Sequence, residues 1–264
     1  MASRLSSPRD TVAIVGLGEA GAAIAADLVR LGLSVVGYDP LASIDLEGVE
    51  QVSNLAEAVS RSGYVFSLVP PAAAETVARE SAGAIAPGAL FVDFTSSSPQ
   101  KKSTCSEVIE AAGAEFVDAG LLGVAPKTGI NTPMILAGTG AERFRAFLAG
   151  FRVSTQVVSD SPGDASERKL VRSVFMKGLA AVVLETLEAG RALGFGDWIR
   201  EEVAETLRDA DASLVDRLEQ GTRQHAVRRV DEMSAALELL QSSGLKAPMT
   251  QATLEVLSGM GGEK

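Results

Sequence analysis

The feature that most constrains the fold is an apolar run followed at once by three spaced glycines. The run is Thr11–Val15, and Gly16, Gly18 and Gly21 come next. The first glycine permits a tight turn, the second lets the backbone approach a pyrophosphate, and the third lets a helix pack closely on the strand. A helix that begins here points its amide N–H groups at an anion. This turn is therefore predicted to bind a dinucleotide through Gly16, Leu17, Gly18, Glu19, Ala20 and Gly21.

A carboxylate ends the second predicted strand, 18 residues after Gly21. Asp39 can accept hydrogen bonds from the adenosine ribose hydroxyls and repels a 2′-phosphate. No arginine stands beside it, because Pro40, Leu41 and Ala42 follow. The sequence therefore favours NAD as the cofactor and leaves NADP open. The alternative for Asp39 is a turn-forming aspartate before a proline.

Short apolar runs alternate with helix-like segments up to about residue 160. Continuous apolar runs are typical of strands that are covered on both faces. The alternation predicts an α/β fold, a Rossmann-type doubly wound sheet that is largely parallel. The predicted strands are Thr11–Val15, Ser34–Tyr38, Tyr64–Val69, Leu90–Phe94, Glu115–Ala119, Pro133–Ala137 and Ser154–Val158. The predicted helices between them include Ala20–Leu31, Ala73–Ala82, Gln100–Ala112 and Ala141–Leu148.

The pattern changes after Ser161-Pro162-Gly163, where strand signals stop and helical periodicity takes over. Residues 1–160 are predicted to form an NAD(P)-binding Rossmann domain. Residues 161–264 are predicted to form an all-helical domain for substrate binding and dimerisation, because its few helices carry more apolar surface than they can bury alone. Its predicted helices are Asp164–Leu193, Asp197–Glu219, Thr222–Ser242 and Pro248–Leu257.

Charge and cysteine content narrow the function classes. The net charge of −10 argues against nucleic acid or anionic lipid as a partner. A single cysteine, Cys105, suits a reducing compartment, and its acidic neighbours suggest a structural residue. One histidine gives no typical metal site. No apolar stretch reaches membrane-spanning length. We expect a cytoplasmic protein that binds small molecules.

Three polar residues recur one turn apart in the long predicted helix: Lys169, Ser173 and Lys177. At positions i, i+4 and i+8 they form one stripe of the helix surface. Burial and a neighbouring cation lower the pKa of a lysine, which would let Lys169 exchange a proton with a substrate oxygen. The alternative is that the lysines extend to solvent or pair with Glu185. The helix is expected to be mostly buried because apolar residues surround the stripe: Leu170, Val174, Phe175, Leu179, Ala180, Val183 and Leu184.

Motifs along nearly the whole chain resemble the β-hydroxyacid dehydrogenase superfamily, which includes 3-hydroxyisobutyrate and 6-phosphogluconate dehydrogenases. The sequence is most similar to a poorly characterised branch with a distinctive helical, 6-phosphogluconate-dehydrogenase-like C-terminal domain, in which a segment like His225–Met233 recurs. The resemblance implies a homodimer that is packed through its helical domains. The matching segments are Gly16–Gly21, Leu68-Val69-Pro70, Asp93–Ser97, Phe116–Ala119 and Lys169.

The resemblance also implies roles for individual residues. The nicotinamide would reach Val69-Pro70 and Thr95-Ser96, and Lys169 would be the catalytic acid/base of an enzyme that acts on CH–OH groups. Ser173 stands where the superfamily has an amide, and the substrate would lie between the domains. Imine reductases related to this superfamily replace the lysine, so its retention favours C–O over C–N chemistry.

The loop that anchors substrate departs from the superfamily pattern. Leu122 and Gly123 stand where Ser-Gly-Gly is usual, so a hydrogen bond to a substrate carboxylate is lost. This predicts a bulkier or less polar hydroxy or keto compound as substrate. The alternatives are imine reductase-like C=N reduction and a non-catalytic dinucleotide sensor.

The remaining candidate residues are basic and lie outside the long predicted helix. His225 and Arg229, four residues apart, are predicted to share a helix face at the substrate end of a partner's cleft, with a surface histidine as the alternative. Lys101-Lys102 is interpreted as a solvated helix start.

Overall fold

The computed structural model describes residues 11–42 and 44–260. The chain divides into two compact units at the bond between Arg172 and Ser173, here called the N-terminal unit and the C-terminal unit. The strands are β1 Thr11–Val15, β2 Ser34–Tyr38, β3 Val49–Gln51, β4 Tyr64–Ser67, β5 Leu90–Asp93, β6 Glu115–Leu121, β7 Met134–Ala137 and β8 Thr155–Ser159. The helices are α1 Glu19–Arg30, α2 Leu55–Ser60, α3 Ala74–Ala82, α4 Pro99–Ala111, α5 Ala125–Thr128, α6 Ala141–Leu148, α7 Asp164–Ala192, α8 Gly196–Arg208, α9 Ala212–Gln224, α10 Ala226–Ser242 and α11 Pro248–Met260.

The N-terminal unit is built on one sheet in the order β3-β2-β1-β4-β5-β6-β7-β8. Every neighbouring pair is parallel except β6 and β7. Alternate residues of β1 enter different cores, with Ile14 in one and Val15 in the other. Because side chains alternate along a strand, the two cores cover opposite faces of the sheet. The predicted α/β doubly wound fold is confirmed, and the carboxyl ends of the parallel strands hold the candidate site.

One short strand and two short helices of this unit escaped prediction: β3, α2 and α5. β3 is three residues long and pairs only with β2, so it leaves no apolar run in the sequence. α2 begins after Asn54, whose side chain accepts hydrogen bonds from the amides of Ala56 and Glu57. A single turn or two of helix is shorter than the periodicity that identifies helices from sequence.

Helices joined by short loops make up the described residues of the C-terminal unit, 173–260, but two predicted helices are wrong. The predicted helix over 197–219 breaks after Arg208, because the carboxylate of Asp211 caps a new helix by accepting the amide hydrogens of Ser213 and Leu214 at 2.9 and 3.3 Å. The predicted helix over 222–242 is interrupted by His225, whose backbone (φ −117°, ψ 22°) separates α9 from α10.

The expectation that α7 is mostly buried is wrong for the single chain. Val174 is 75% exposed, Phe175 64% and Leu184 65%. Neither α8 nor α9 contains a buried residue. The apolar residues that predicted burial are present in α7, but in residues 11–42 and 44–260 these side chains stay uncovered. In residues 11–42 and 44–260, no helix combines the length and apolarity needed to cross a membrane.

Candidate active site

The turn after β1 has a backbone that only glycine tolerates at its first position. Gly16 has φ +96°, and its amide donates to the Tyr38 carbonyl oxygen at 2.9 Å. A Cβ at this position would lie 2.7 Å from the carbonyl oxygen of Leu68. The turn is therefore clamped between β2 and the end of β4, which fixes the start of α1 beside the carboxyl edge of the sheet.

The other two glycines differ sharply in what surrounds them. A Cβ on Gly21 would lie 1.9 Å from the carbonyl oxygen of Gly16, so helix and turn touch here. Among the described residues, no atom would lie within 4 Å of a Cβ on Gly18. Gly18 also precedes the first residue of α1 and supplies no side-chain cap. The open space at Gly18 therefore lies at a helix N-terminus, the arrangement that binds pyrophosphate.

Asp39 connects the two loops at the carboxyl ends of β1 and β2. Its Oδ2 accepts the Leu17 amide hydrogen at 2.8 Å. Its Oδ1 accepts from the amides of Leu41 and Ala42 at 2.8 and 3.1 Å. The turn-forming role that the sequence left open is thus confirmed, and the bond to Leu17 also holds the carboxylate against the glycine turn. A contact with a ribose stays a prediction.

A cavity of about 800 Å³ opens beside this turn and is lined entirely by the N-terminal unit. Its described lining includes the glycines Gly16, Gly18 and Gly21, the carboxylates of Glu19, Asp39 and Glu80, and Val69 and Pro70, but no lysine or arginine. The negative lining does not suit a further phosphate near Asp39.

The two polar residues predicted to reach the nicotinamide lie after β5 and do not line this cavity. Thr95 is buried, its amide donates to Asp93 at 2.8 Å, and its hydroxyl shares a hydrogen bond with Ser97. The side chain of Thr95 therefore stabilises the loop that follows β5 through its hydrogen bond with Ser97. Ser96 is exposed.

The predicted proton-transfer residues lie along α7, which continues from one unit into the other. Lys169 is half-buried, and a Cβ added to Gly120 of β6 would lie 3.4 Å from its Cδ. The side-chain stem of Lys169 thus packs over the bare backbone of β6. Ser173 is half-buried, and Lys177 is exposed.

In the loop after β6, Leu122 packs against apolar side chains. Leu122 packs against a small apolar cluster of Ile135, Ala137 and Ala165, and its amide donates to the Pro133 carbonyl oxygen at 2.8 Å. Gly123 is exposed. The leucine that replaces the expected serine is accommodated as part of a core.

His225 and Arg229 lie one turn apart at the start of α10, because the His225 carbonyl oxygen accepts the Arg229 amide hydrogen at 3.1 Å. Their place at a substrate cleft stays a prediction. His225 is exposed at the junction of α9 and α10, and the Arg229 guanidinium donates to the Thr222 hydroxyl. Glu185, the alternative partner of the lysines, belongs to a helix cap. It accepts hydrogen bonds from Met249 and Thr250 and caps α11.

Sequence reasoning missed a buried lysine. The interpretation of Lys102 as part of a solvated helix start is wrong, because its side chain is fully buried. Its Nζ lies 3.1 Å from Asp93 Oδ1 and 3.3 Å from Asp118 Oδ1. The only available signal was the pair of aspartates at the ends of two predicted strands that become neighbours. Cys105 lies next to this cluster in α4, and burial together with Asp93 raises its pKa to about 11, which fits the predicted structural role.

Known families match both parts of the chain. Residues 11–159, more than half of its length, match the NAD binding domain of 6-phosphogluconate dehydrogenase. Residues 191–260 match a domain of unknown function, DUF1932. The predicted resemblance to a poorly characterised branch of the superfamily is therefore confirmed.

Two relatives extend this match. The chain is 29% identical over 206 residues to an uncharacterized 28.5 kDa protein of Methanothermus fervidus, covering 78% of this chain and 79% of that protein. It is 24% identical over 204 residues to 2-(hydroxymethyl)glutarate dehydrogenase of Eubacterium barkeri, covering 73% of this chain and 67% of the relative.

Two solved structures resemble the whole chain. One is a conserved protein of unknown function with structural similarity to 3-hydroxyacid dehydrogenases (28% identity, TM-score 0.60, 95% of this chain and 96% of that one). The other is a reductive aminase from Aspergillus terreus in complex with NADPH (17% identity, TM-score 0.79, 95% and 93% covered), and at that identity it shows the fold alone. The glycine turn, its cavity and these matches agree: the chain belongs to the family of the 6-phosphogluconate dehydrogenase NAD binding domain.

Proposed function

We propose that this protein is an NAD-dependent oxidoreductase that interconverts a hydroxy and a keto compound, with Lys169 as the acid/base. One observation carries the proposal: a single compact unit contains both the glycine turn with its open cavity and a half-buried lysine packed on β6. The relation to dehydrogenases makes an oxidoreductase the natural activity for such a unit.

The residues beside the turn fit a dinucleotide. Open space at Gly18 leaves room for a pyrophosphate against the first turn of α1. The described lining is acidic and includes no lysine or arginine, which favours NAD over NADP because none of these residues would compensate the charge of a 2′-phosphate near Asp39. Val69, Pro70, Thr95 and Ser96 complete the proposed cofactor contacts. When bound, the cofactor accepts or donates the hydride.

Lys169 moves the proton in this proposal. In its neutral form, its Nζ takes the hydroxyl proton of the substrate during oxidation. As an ammonium group, it returns that proton to the carbonyl oxygen during reduction. Ser173 follows one turn later on the same helix stripe, where its hydroxyl can orient the substrate oxygen, and Lys177 lies two turns from Lys169.

The substrate is proposed to be less polar than a small hydroxyacid. Leu122 contributes no hydrogen bond, and the exposed Gly123 leaves only backbone groups for contact. His225 and Arg229 stay candidates for substrate contact, with His225 as the exposed member. A hydroxy or keto compound with an apolar substituent fits these residues.

A second candidate activity is the reduction of C=N bonds. A reductive aminase shares the fold, with a TM-score of 0.79 over 95% of the chain, so this architecture is compatible with that chemistry. Lys169 argues for the carbonyl reaction because an ammonium group can protonate the oxygen that becomes a hydroxyl.

The proposal includes a homodimer formed through the C-terminal unit. Its exposed apolar side chains, such as Phe175, Leu184 and Trp198, are too numerous and too close in sequence to be isolated surface residues. A second copy would cover them with an equivalent face, the arrangement that cyclic symmetry provides.

A substrate panel tests the activity directly. The purified chain would be incubated with NADH or NADPH and three sets of compounds: small ketoacids, bulkier ketones or ketoesters, and cyclic imines. Loss of reduced-cofactor absorbance with the bulkier carbonyl compounds is the expected result. Turnover confined to imines would establish the second candidate. Tight NAD binding without turnover of any compound would instead indicate a sensor.

A further inference from the structure

A fully buried ion cluster connects β5, β6 and α4. Lys102, in the first turns of α4, donates from Nζ to the carbonyl oxygen of Asp93 at 2.7 Å and ion-pairs with Asp93 and Asp118. Asp93 and Asp118 face each other in the register of β5 and β6. Asp93 Oδ2 has no hydrogen-bond partner. The cluster therefore places two carboxylates and one ammonium group in the interior.

One member of the cluster also caps the long helix. Asp118 Oδ2 accepts the amide hydrogens of Gly163 and Ser166 at 3.1 and 2.8 Å, and Oδ1 accepts the Ser166 hydroxyl at 2.7 Å. A carboxylate at this end of a 29-residue helix is favoured by the helix dipole. Lys102 thus holds Asp118, and Asp118 holds the first turn of α7.

Lys169 follows Ser166 by three residues on that helix. Its stem packs over Gly120, which lies two residues after Asp118 on β6. Because residues i and i+2 of a strand point to the same side, β6 contacts α7 at two successive points. The cap fixes where the helix begins along β6, and the bare backbone at Gly120 receives the lysine stem.

Stability alone does not account for such a cluster. A buried ion pair costs desolvation, and apolar residues of similar volume often stabilise a protein as well or better. What apolar residues cannot supply is a directional set of hydrogen bonds that fixes one helix at one position against a strand.

We propose that Lys102 and Asp118 are positioning residues that hold Lys169 at its working place. The inference rests on the proposed acid/base role of Lys169, but it makes a separate claim about where that side chain is held. If the claim is right, weakening the cap loosens Lys169 while the glycine turn, on the other side of β4, keeps its affinity for NAD.

The test measures the accessibility of Lys169 without any substrate. Full-length protein would be acetylated with a limiting amount of acetic anhydride, and mass spectrometry would give the ratio of labelling at Lys169 to labelling at the exposed Lys246. The variants are Asp118→Asn, which keeps the shape but weakens the cap, and Ser166→Ala, which removes only the hydroxyl donor. Glu185→Gln is the matched control, because Glu185 caps α11 through two amides and one hydroxyl, as Asp118 caps α7.

We expect Asp118→Asn to raise the labelling ratio by about threefold or more, because the first turn of α7 opens more often. Ser166→Ala should raise it less, and the control should leave it unchanged. Lys102→Met should act like Asp118→Asn; if that variant does not fold, the other two still decide. The dissociation constant for NAD should stay within about twofold in Asp118→Asn and Ser166→Ala.

An unchanged ratio in Asp118→Asn would overturn the proposal, and so would an equal rise in the control. These outcomes are separable from failure of the acid/base role, which is measured by turnover of Lys169→Met and not by labelling. Once a substrate is known, the cap variants should lower kcat with little change in KM, whereas general destabilisation would leave the kcat of the folded fraction unchanged.

Discussion

The two units of this protein bury their apolar side chains to very different extents. The N-terminal unit covers both faces of its sheet, and strand residues such as Ile14 and Phe66 are completely buried. The C-terminal unit has two 13-residue helices, α8 and α9, without a buried residue. The first unit therefore completes its core within the chain, whereas the second presents exposed apolar faces in the single chain. The comparison separates a self-sufficient cofactor unit from a unit that is proposed to bury its apolar faces against a second copy.

The packing at the glycine turn gives the strongest test of the self-sufficient unit. Gly21→Ala places a methyl group 1.9 Å from a backbone oxygen, and we expect a loss of about 3 kcal/mol or more of unfolding free energy. For a chain of this size that corresponds to a fall of roughly 6–12 °C in Tm. Thermal unfolding monitored by circular dichroism measures it.

Gly18→Ala is the matched variant, because its methyl group enters open space. It should keep the Tm within about 2 °C but weaken NAD binding about tenfold or more, equivalent to ~1.4 kcal/mol. Equal stability losses in the two variants would contradict the geometry of the turn.

The exposed face of the C-terminal unit gives the next largest effect. Phe175→Asp replaces an apolar side chain that is 64% exposed in the single chain with a carboxylate. If a second copy covers it, the dimer dissociation constant should rise at least about 100-fold, or ~2.7 kcal/mol. Sedimentation equilibrium would measure this. Leu31→Asp, at a 56% exposed leucine of the N-terminal unit, is the control and should leave the association unchanged. A wild-type protein that is monomeric at micromolar concentration would end the dimer proposal.

Cofactor choice should depend on the N-terminal unit alone. Asp39→Ala removes a carboxylate proposed to bind the ribose and to repel a 2′-phosphate, so the preference for NAD over NADP should narrow by about tenfold. Fluorescence titration with both cofactors measures the ratio. Asp45→Ala, which removes an exposed carboxylate six residues away, should preserve it. A wild-type chain that binds NADP more tightly would show that the acidic lining does not decide the choice.

The smallest effect concerns Glu185, the cap of α11. Burial alone would raise its pKa, but the Thr250 hydroxyl and the amides of Met249 and Thr250 hold the pKa below its ordinary value. A lowered folded-state pKa means that this stabilisation is present above the pKa of the unfolded chain and is lost as pH falls through the folded-state pKa.

Glu185→Gln should therefore cost about 1 kcal/mol at neutral pH, the usual value of a helix cap. The difference from the wild type should shrink as the pH falls below about 4. Urea unfolding at several pH values provides the measurement. A difference that stays constant down to pH 3 would show that the carboxylate charge makes no contribution.

Most of the sheet and the glycine turn could be predicted because their signals are local. Strand β1, the turn and Asp39 lie within 29 residues, and the strand and the turn each have a sequence pattern with one physical explanation. The break at Asp211 was missed because a capping aspartate also suits the polar face of a continuous helix. The interruption at His225 leaves even less trace, since no glycine or proline marks it.

The site was harder to predict where contacts join distant segments. Lys102 looks like a surface residue until β5 and β6 pair and bring Asp93 and Asp118 to it. The burial of α7 was predicted wrongly for a different reason. Apolar residues on a helix predict that some surface will cover them, but not whether the same chain provides that surface.

The central claim is that Lys169 is the acid/base, and replacing this residue tests it most directly. Lys169→Met keeps the length of the side chain and removes its proton. With a substrate found by the panel, single-turnover hydride transfer should slow by about 10²–10⁴-fold while NAD affinity stays nearly unchanged. Lys246→Met, at an exposed lysine of the C-terminal unit, should transfer hydride at the wild-type rate. Hydride transfer at the wild-type rate in Lys169→Met would contradict the account, because the proton would then come from another group.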